Sequence, residues 1–115
     1  MSKIERLKKR REFLSVSNQG RAIVTSTMIV QWLEKQGDAE SACPFRIGFT
    51  TSRRVGNAVV RNRARRRLRA LTQTYFKSHP APHGDMVVVG RSTTPQAKFS
   101  DLTSDFNLAL QKLGA

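Results

Sequence analysis

Apolar positions along the chain recur with more than one period. Near the N-terminus Leu7, Leu14 and the pair Phe13 and Val16 return at helix-like steps, and Gly20 stands where a helix-ending glycine belongs. This predicts a helix over residues 9–18 behind a basic, mobile arm, residues 1–8. The stretch 21–35 is rich in Ile, Val, Thr and Trp. Within it residues 27–33 read as a strand, with Gln36, Gly37 and Asp38 as the turn that follows. Residues 45–51 alternate cleanly: Phe45, Ile47 and Phe49 against Arg46, Gly48 and Thr50, the period of a strand with two distinct faces. Gly56 and Asn57 break that pattern. Asn57 is placed to cap a helix over residues 58–77, in which Val60, Ala64, Leu68, Leu71 and Tyr75 share one face at about 100° per residue. A Pro-rich linker, residues 78–84, stops this helix. The run within residues 85–90 is continuously apolar, as a central strand covered on both faces requires. Leu102, Phe106, Ala109, Leu110 and Leu113 line one side of a last helix over residues 100–113. Ser100 or Asp101 would cap it, and Asp101 and Asp105 suit its positive end.

The order helix, strands, helix, strand, helix predicts a small α+β domain with a single sheet, and 115 residues is the length of one domain, 1–115. Strand 45–51, helix 58–77 and strand 86–91 form a βαβ crossover if the two strands are parallel. The general rule makes such a crossover right-handed.

Charge changes the picture. The formal net charge is +13, far more than solubility asks of a small domain. No Asp or Glu occurs between Glu40 and Asp85, so 44 residues carry the central arginines unopposed. Any fold must then present a strongly positive face, and self-repulsion disfavours it without a polyanionic partner. The lone cysteine, Cys43, cannot form an internal disulfide and is too little for a zinc site; it reads as a small buried hydrophobe in a reducing cytoplasm. The basic N-terminus lacks a following apolar run, so no secretory signal is expected, and no apolar run is long enough for a membrane span. His79 and His83 are four residues apart but flank prolines in a linker, which argues against a metal site there.

The charge concentrates in "VGNAVVRNRARRRLRAL", with six arginines between Arg61 and Arg69 and two more, Arg53 and Arg54, just before it. With Val60 at 0°, the apolar stripe centres near about 40°, and Asn62, Arg66 and Arg69 fall near about 200°, 240° and 180°. Arg61 and Arg65 lie on one flank, Arg63 and Arg67 on the other. A solvated helix face would mix signs, a nuclear-localisation run would not need the apolar stripe, and a membrane-surface helix would expose apolar residues beside its charges. A polyanion-binding surface fits best. Arginine forks onto phosphate and stacks on bases, so arginines on three sides, beside a sheet face with Phe and Trp, suit structured RNA together with a single-stranded segment. Charge alone leaves DNA open. There is no carboxylate pair, Cys/His arrangement or phosphate-cradling glycine loop, so the sequence offers no catalytic residues of its own.

Arg61-Asn62-Arg63 in the first turns of a basic helix, behind a strand and a Gly-Asn turn, resembles the protein component of bacterial ribonuclease P. "RLKKRREF", "RIGFTTSRR" and "GDMVVVGR" agree in order, so the resemblance covers nearly the whole chain; it is weakest over residues 36–42 and after Thr93. It implies a left-handed βαβ crossover, against the general rule. It also implies that an RNA subunit performs Mg²⁺-dependent hydrolysis of the phosphodiester between the 5′ leader and tRNA. The protein would bind that RNA, hold the single-stranded leader of precursor tRNA and raise the affinity for metal ions and substrate. It would need no protein partner and no membrane, and would supply neither a metal ligand nor a catalytic group. By resemblance Arg61, Asn62, Arg63, Arg65, Arg66 and Arg69 contact the catalytic RNA, with Arg53 and Arg54 in the preceding loop, and Phe13 lines a leader cleft. Aromatics common in the family four residues after Phe13 and on the first strand are Ser17 and Gln31 here, which weakens base stacking. Ile29 and Phe49 would supply apolar surface instead, or belong to ordinary sheet core. The alternative is a general structured-RNA-binding module of ribosomal type, without a processing role.

Overall fold

The computed structural model describes residues 4–34 and 45–115. In chain order these form β1 (Ile4–Arg6), α1 (Arg10–Gln19), β2 (Arg21–Val24), β3 (Met28–Glu34), β4 (Phe45–Thr51), a single 3-10 turn (Arg53–Val55), α2 (Ala58–Ser78), β5 (Gly84–Gly90) and α3 (Phe99–Leu113). The strands make one five-stranded mixed sheet in the order β1-β4-β5-β3-β2. β4 and β5 are adjacent and parallel, so β4-α2-β5 is the expected βαβ unit, while β3 is antiparallel to β5.

The sheet separates two layers. Met28, Val30 and Trp32 of β3, Phe45 and Ile47 of β4, and Met86 and Val88 of β5 face α2 and α3, and there meet Leu68, Leu71, Leu102, Phe106, Leu110 and Leu113. Phe76 and Tyr75 close this core with rings 5.0 Å from Phe45 and 5.1 Å from Phe106 respectively. On the other face, Val87 packs with Leu7 and Val16, beside Phe13, Leu33 and Val89. β5 is thus buried on both sides, which accounts for its unbroken apolar run.

Several expectations need correction. The segment read as a mobile arm contains β1, which pairs parallel with β4, and Leu7 is buried with its N–H bonded to the Ile47 carbonyl at 2.9 Å. An unpaired edge of β4 and an apolar slot for Leu7 recruit a segment whose charges hid it. The stretch before Thr27 is a separate strand, β2, which forms a hairpin with β3. Thr25 Oγ1 holds that turn by donating to the Met28 carbonyl at 2.7 Å. α3 begins earlier than read: Lys98 is its N-cap without a side-chain cap bond, and Ser100 and Asp101 lie inside the first turn. Asp105 serves the hairpin instead, accepting Thr27 Oγ1 at 2.6 Å. Trp32 and Phe45 are buried under the helices and offer no ring to a partner. The turn read at Gln36, Gly37 and Asp38, and Cys43, lie outside the described residues.

Candidate nucleic-acid interface

α1 is fastened to the sheet by charge. The Glu12 carboxylate accepts the backbone N–H of Lys9 at 2.9 Å and of Lys8 at 3.0 Å, closing the N-terminus of its own helix. It also pairs with Arg46. Arg46 in turn forks onto Asp85, Nε to Oδ1 at 3.0 Å and Nη2 to Oδ2 at 2.7 Å. The Lys9 and Lys8 N–H bonds, with Arg46 behind them, hold the Glu12 carboxyl at about 2 against a partial desolvation cost. Donating to the Asp85 carboxylate pushes the Arg46 guanidinium up. Glu12, Arg46 and Asp85 are therefore spent on position.

The result is an open cleft of about 610 Å³ between α1 and the sheet. Arg10, Phe13, Leu14 and Ser17 form the helical wall, at the spacing of one helix face. Gln31, Val87 and Val89 form the floor, residues 49–52 the opposite wall, and Lys8 lies at the border. Phe13 lies directly on Gly48, where a Cβ would fall 2.5 Å from its ring. Of the cleft residues named from the sequence, Phe13 and Gln31 are brought together here, with Ser17 beside them. Ile29 pairs in register with Val89, on the same sheet face but beyond the cleft lining. Phe49 borders the cleft only at its strand: alternation with Phe45 and Ile47 puts its ring on the α2 side, 5.7 Å from the Arg6 guanidinium. Lys8, Arg10, Leu14, Val87 and Val89 were not named in advance. The i, i+3, i+4, i+7 spacing of residues 10, 13, 14 and 17 carried the signal for the helical wall.

α2 starts where expected: Asn57 Oδ1 accepts the Val60 N–H at 3.0 Å. Its buried positions are Ala64, Leu68, Leu71 and Thr72, with Val60 only half-buried, so the packed face centres near about 65° rather than 40°. That rotation half-buries Arg61, Arg65 and Arg69 along the β4 side and leaves Asn62, Arg63 and Arg66 exposed. Arg53 and Arg54 are exposed in the 3-10 turn.

The arginines divide by partner. Arg67 is structural: it donates to the Thr94 carbonyl at 2.7 Å and to the Ala97 carbonyl at 2.5 Å, tying α2 to the segment before α3. Arg65 donates to Thr51 Oγ1 at 3.2 Å and to Asn62 Oδ1, so Asn62 holds a guanidinium at the end of the cleft wall. Arg61 Nε is buried without an acceptor. Among the described residues no α2 arginine pairs with a carboxylate. This row of unbalanced charge reaches the cleft through Thr51, a geometry for a polyanion whose single-stranded part enters the groove.

Known proteins resemble this chain in sequence and in fold. The family model for ribonuclease P matches residues 1–114. The ribonuclease P protein component of Gluconacetobacter diazotrophicus is 41% identical over 109 residues, covering 95% of this chain and 90% of that protein. That of Paramagnetospirillum magneticum is 40% identical over 114 residues, covering 99% and 86%. Among solved structures, the RNase P protein of Staphylococcus aureus superposes with a TM-score of 0.76 at 24% identity, over 96% of this chain and 95% of that one. That of Thermotoga maritima gives 0.73 at 24% identity, over 93% and 96%. The chain therefore belongs to the ribonuclease P protein family, as the protein subunit of a ribonucleoprotein endoribonuclease whose partner is the ribonuclease P RNA.

Proposed function

We propose that the two surfaces divide the substrate and the catalytic RNA between them. The cleft between α1 and the sheet holds the single-stranded 5′ leader of precursor tRNA. Arg53, Arg54 and the exposed and half-buried side of α2, with Arg61, Asn62, Arg63, Arg65, Arg66 and Arg69, bind the ribonuclease P RNA. One observation carries this reading: a groove with Phe13, Leu14, Val87 and Val89 in its lining opens beside a row of arginines that, among the described residues, have no carboxylate partner. An extended single strand needs the first for its bases, and a folded RNA needs the second for its phosphates. Phe13 and Leu14 give apolar contact, while Ser17 and Gln31 offer hydrogen bonds where a second ring would stack.

The chemistry belongs to the RNA. Among the described residues no three His, Cys, Asp or Glu side chains converge, and Glu12 and Asp85 are engaged by Arg46. The described carboxylates are a poor fit for a Mg²⁺ cage; in this reading the ion of the Mg²⁺-dependent cleavage is held mainly by the RNA subunit and the substrate. A subunit that meets precursor tRNA works where tRNA is made, in the cytoplasm. None of the described helices is long and apolar enough to cross a membrane.

Reconstitution tests this. Purified protein alone should leave precursor tRNA intact. With the cognate RNA subunit at low Mg²⁺ it should accelerate leader removal, more for substrates whose leader is long enough to reach the cleft. No acceleration, or equal affinity for unrelated structured RNAs at the same salt, would favour a general RNA-binding module.

A further inference from the structure

A second hollow lies on the far side of β4 from the cleft. It is a wedge of about 170 Å³ between the sheet edge and α2. Its apolar lining is Ile4, Ile47, Phe49 and Phe76; Arg6 and Arg69 lie beside them, with Thr72 and Gln73 contributed by α2. The wedge exists because β1 is only three residues long and stops at Arg6, so Phe49, paired with Val88 of β5 on one side, has no strand beside it on the β1 side. It is smaller than the roughly 300–1,000 Å³ of a drug-sized site. It has room for one planar ring system, with hydrogen-bonding groups at the border and two cations.

Those cations are unspent. Among the described residues neither Arg6 nor Arg69 pairs with a carboxylate, and the Arg6 guanidinium lies 5.7 Å from the Phe49 ring centroid. Arg69 is also the last member of the Arg61, Arg65, Arg69 flank of α2. A ligand that enters the wedge from that row must therefore be anionic on one side and aromatic on the other.

We infer that this wedge takes one unstacked nucleotide of a bound RNA. Its base lies against Phe49 and Phe76, its phosphate lies between Arg6 and Arg69, and the exposed Gln73 faces the base edge. The inference rests on the RNA-binding reading of α2 but not on the leader cleft, which opens on the opposite face of the sheet. Stacking on an aromatic side chain tolerates any base, so the pocket adds grip at one point of the RNA without dictating its sequence.

Adenosine 5′-monophosphate and inorganic phosphate, titrated separately into the isotopically labelled whole protein and followed by NMR, test it. The nucleotide should shift the ring signals of Phe49 and Phe76 and the amides of Thr72 and Gln73. Phosphate should move only the signals of Arg6 and Arg69. Arg6→Gln, at an exposed position, should weaken the nucleotide about tenfold without lowering the melting temperature. Phe49→Leu should remove the ring-current shifts, and its melting curve reports whether the fold survives; if it does not, Arg6→Gln decides alone. In the reconstituted holoenzyme Arg6→Gln should weaken RNA subunit binding several-fold and leave the dependence on leader length unchanged. Identical shift patterns with phosphate, shifts confined to Phe13 and Gln31, or unchanged nucleotide affinity in Arg6→Gln would each overturn the pocket. Because the nucleotide titration needs no cleavage, a failed reconstitution with a positive titration sinks the processing role alone.

Discussion

Phe13 and Gly48 occupy each other's space: a Cβ on Gly48 would stand 2.5 Å from Phe13 Cε1 and 2.7 Å from Cζ. No side chain fits beneath the ring, so the glycine sets how closely α1 approaches β4. Gly48→Ala must push Phe13 outward or lift the helix. The cost is that of overpacking, about 1–3 kcal/mol of stability. The proposed function adds a sharper consequence. Affinity for precursor tRNA with a long leader should fall, while affinity for leaderless tRNA and for the RNA subunit should hold. Equal losses on all three ligands would mean that the cleft does not hold the leader.

Arg66 and Arg67 are neighbours in the chain with opposite duties. Arg66 is exposed and has no partner among the described residues, whereas Arg67 is bonded to two backbone carbonyls before α3. If about six arginines meet phosphates, log affinity for RNA should fall with log salt at a slope of about −5, somewhat less for geometries other than duplex DNA. Arg66→Ala should flatten that slope by about one unit at an unchanged melting temperature. Arg67→Ala should do the reverse, costing about 1–3 kcal/mol of stability with the slope kept, since it leaves two acceptors behind. A salt titration beside a melting curve reads both.

This pair also marks the reach of the sequence. The strand 45–51, the α2 cap at Asn57 and the apolar stripe were legible because each depends on local periodicity or on a side chain a few residues away. Arg67 looked like one more cation of the run. Its partners, Thr94 and Ala97, are about thirty residues distant, and no pattern in the chain announces a contact to a carbonyl. β1 was hidden for a related reason: a three-residue edge strand is chosen by the partner strand it completes, and its own charges argued for solvent. The resemblance leaves Phe49 open between cleft surface and sheet core, and its alternation with Phe45 and Ile47 places its ring on the other face.

Acid should loosen α1 before it unfolds the rest. The Glu12 carboxyl is held at about 2 in the folded protein against 4.5 without the fold, chiefly by the Lys9 and Lys8 N–H groups and then by Arg46. A depressed carboxyl stabilises fully above its unfolded value and loses that contribution as pH falls toward the folded value. The Glu12 contribution is thus intact above about pH 5 and fades from there toward pH 2. Glu12→Gln should lower the melting temperature at pH 7 and have little effect near pH 2. The difference between the two melting curves should therefore shrink as pH falls, and a constant gap would mean that the Glu12 charge does not anchor the helix.

Gln31 offers the test that gains rather than loses function. It lies on the cleft floor beside Val87, half-buried and on the same side of the sheet as Phe13. Where bases are gripped by aromatic rings, each stacked base contributes about 1–3 kcal/mol. This cleft has one ring on α1 and an amide where a second could stand. Gln31→Phe should tighten binding of precursor tRNA with a single-stranded leader, by up to that amount. Binding of leaderless tRNA should not change, because nothing in it enters the groove. A long and a short leader, compared against both proteins at one salt concentration, separate the two contributions. If Gln31→Phe leaves the long-leader substrate no tighter than before, the leader does not pass over β3, and the floor at Gln31 and Val87 serves the fold alone.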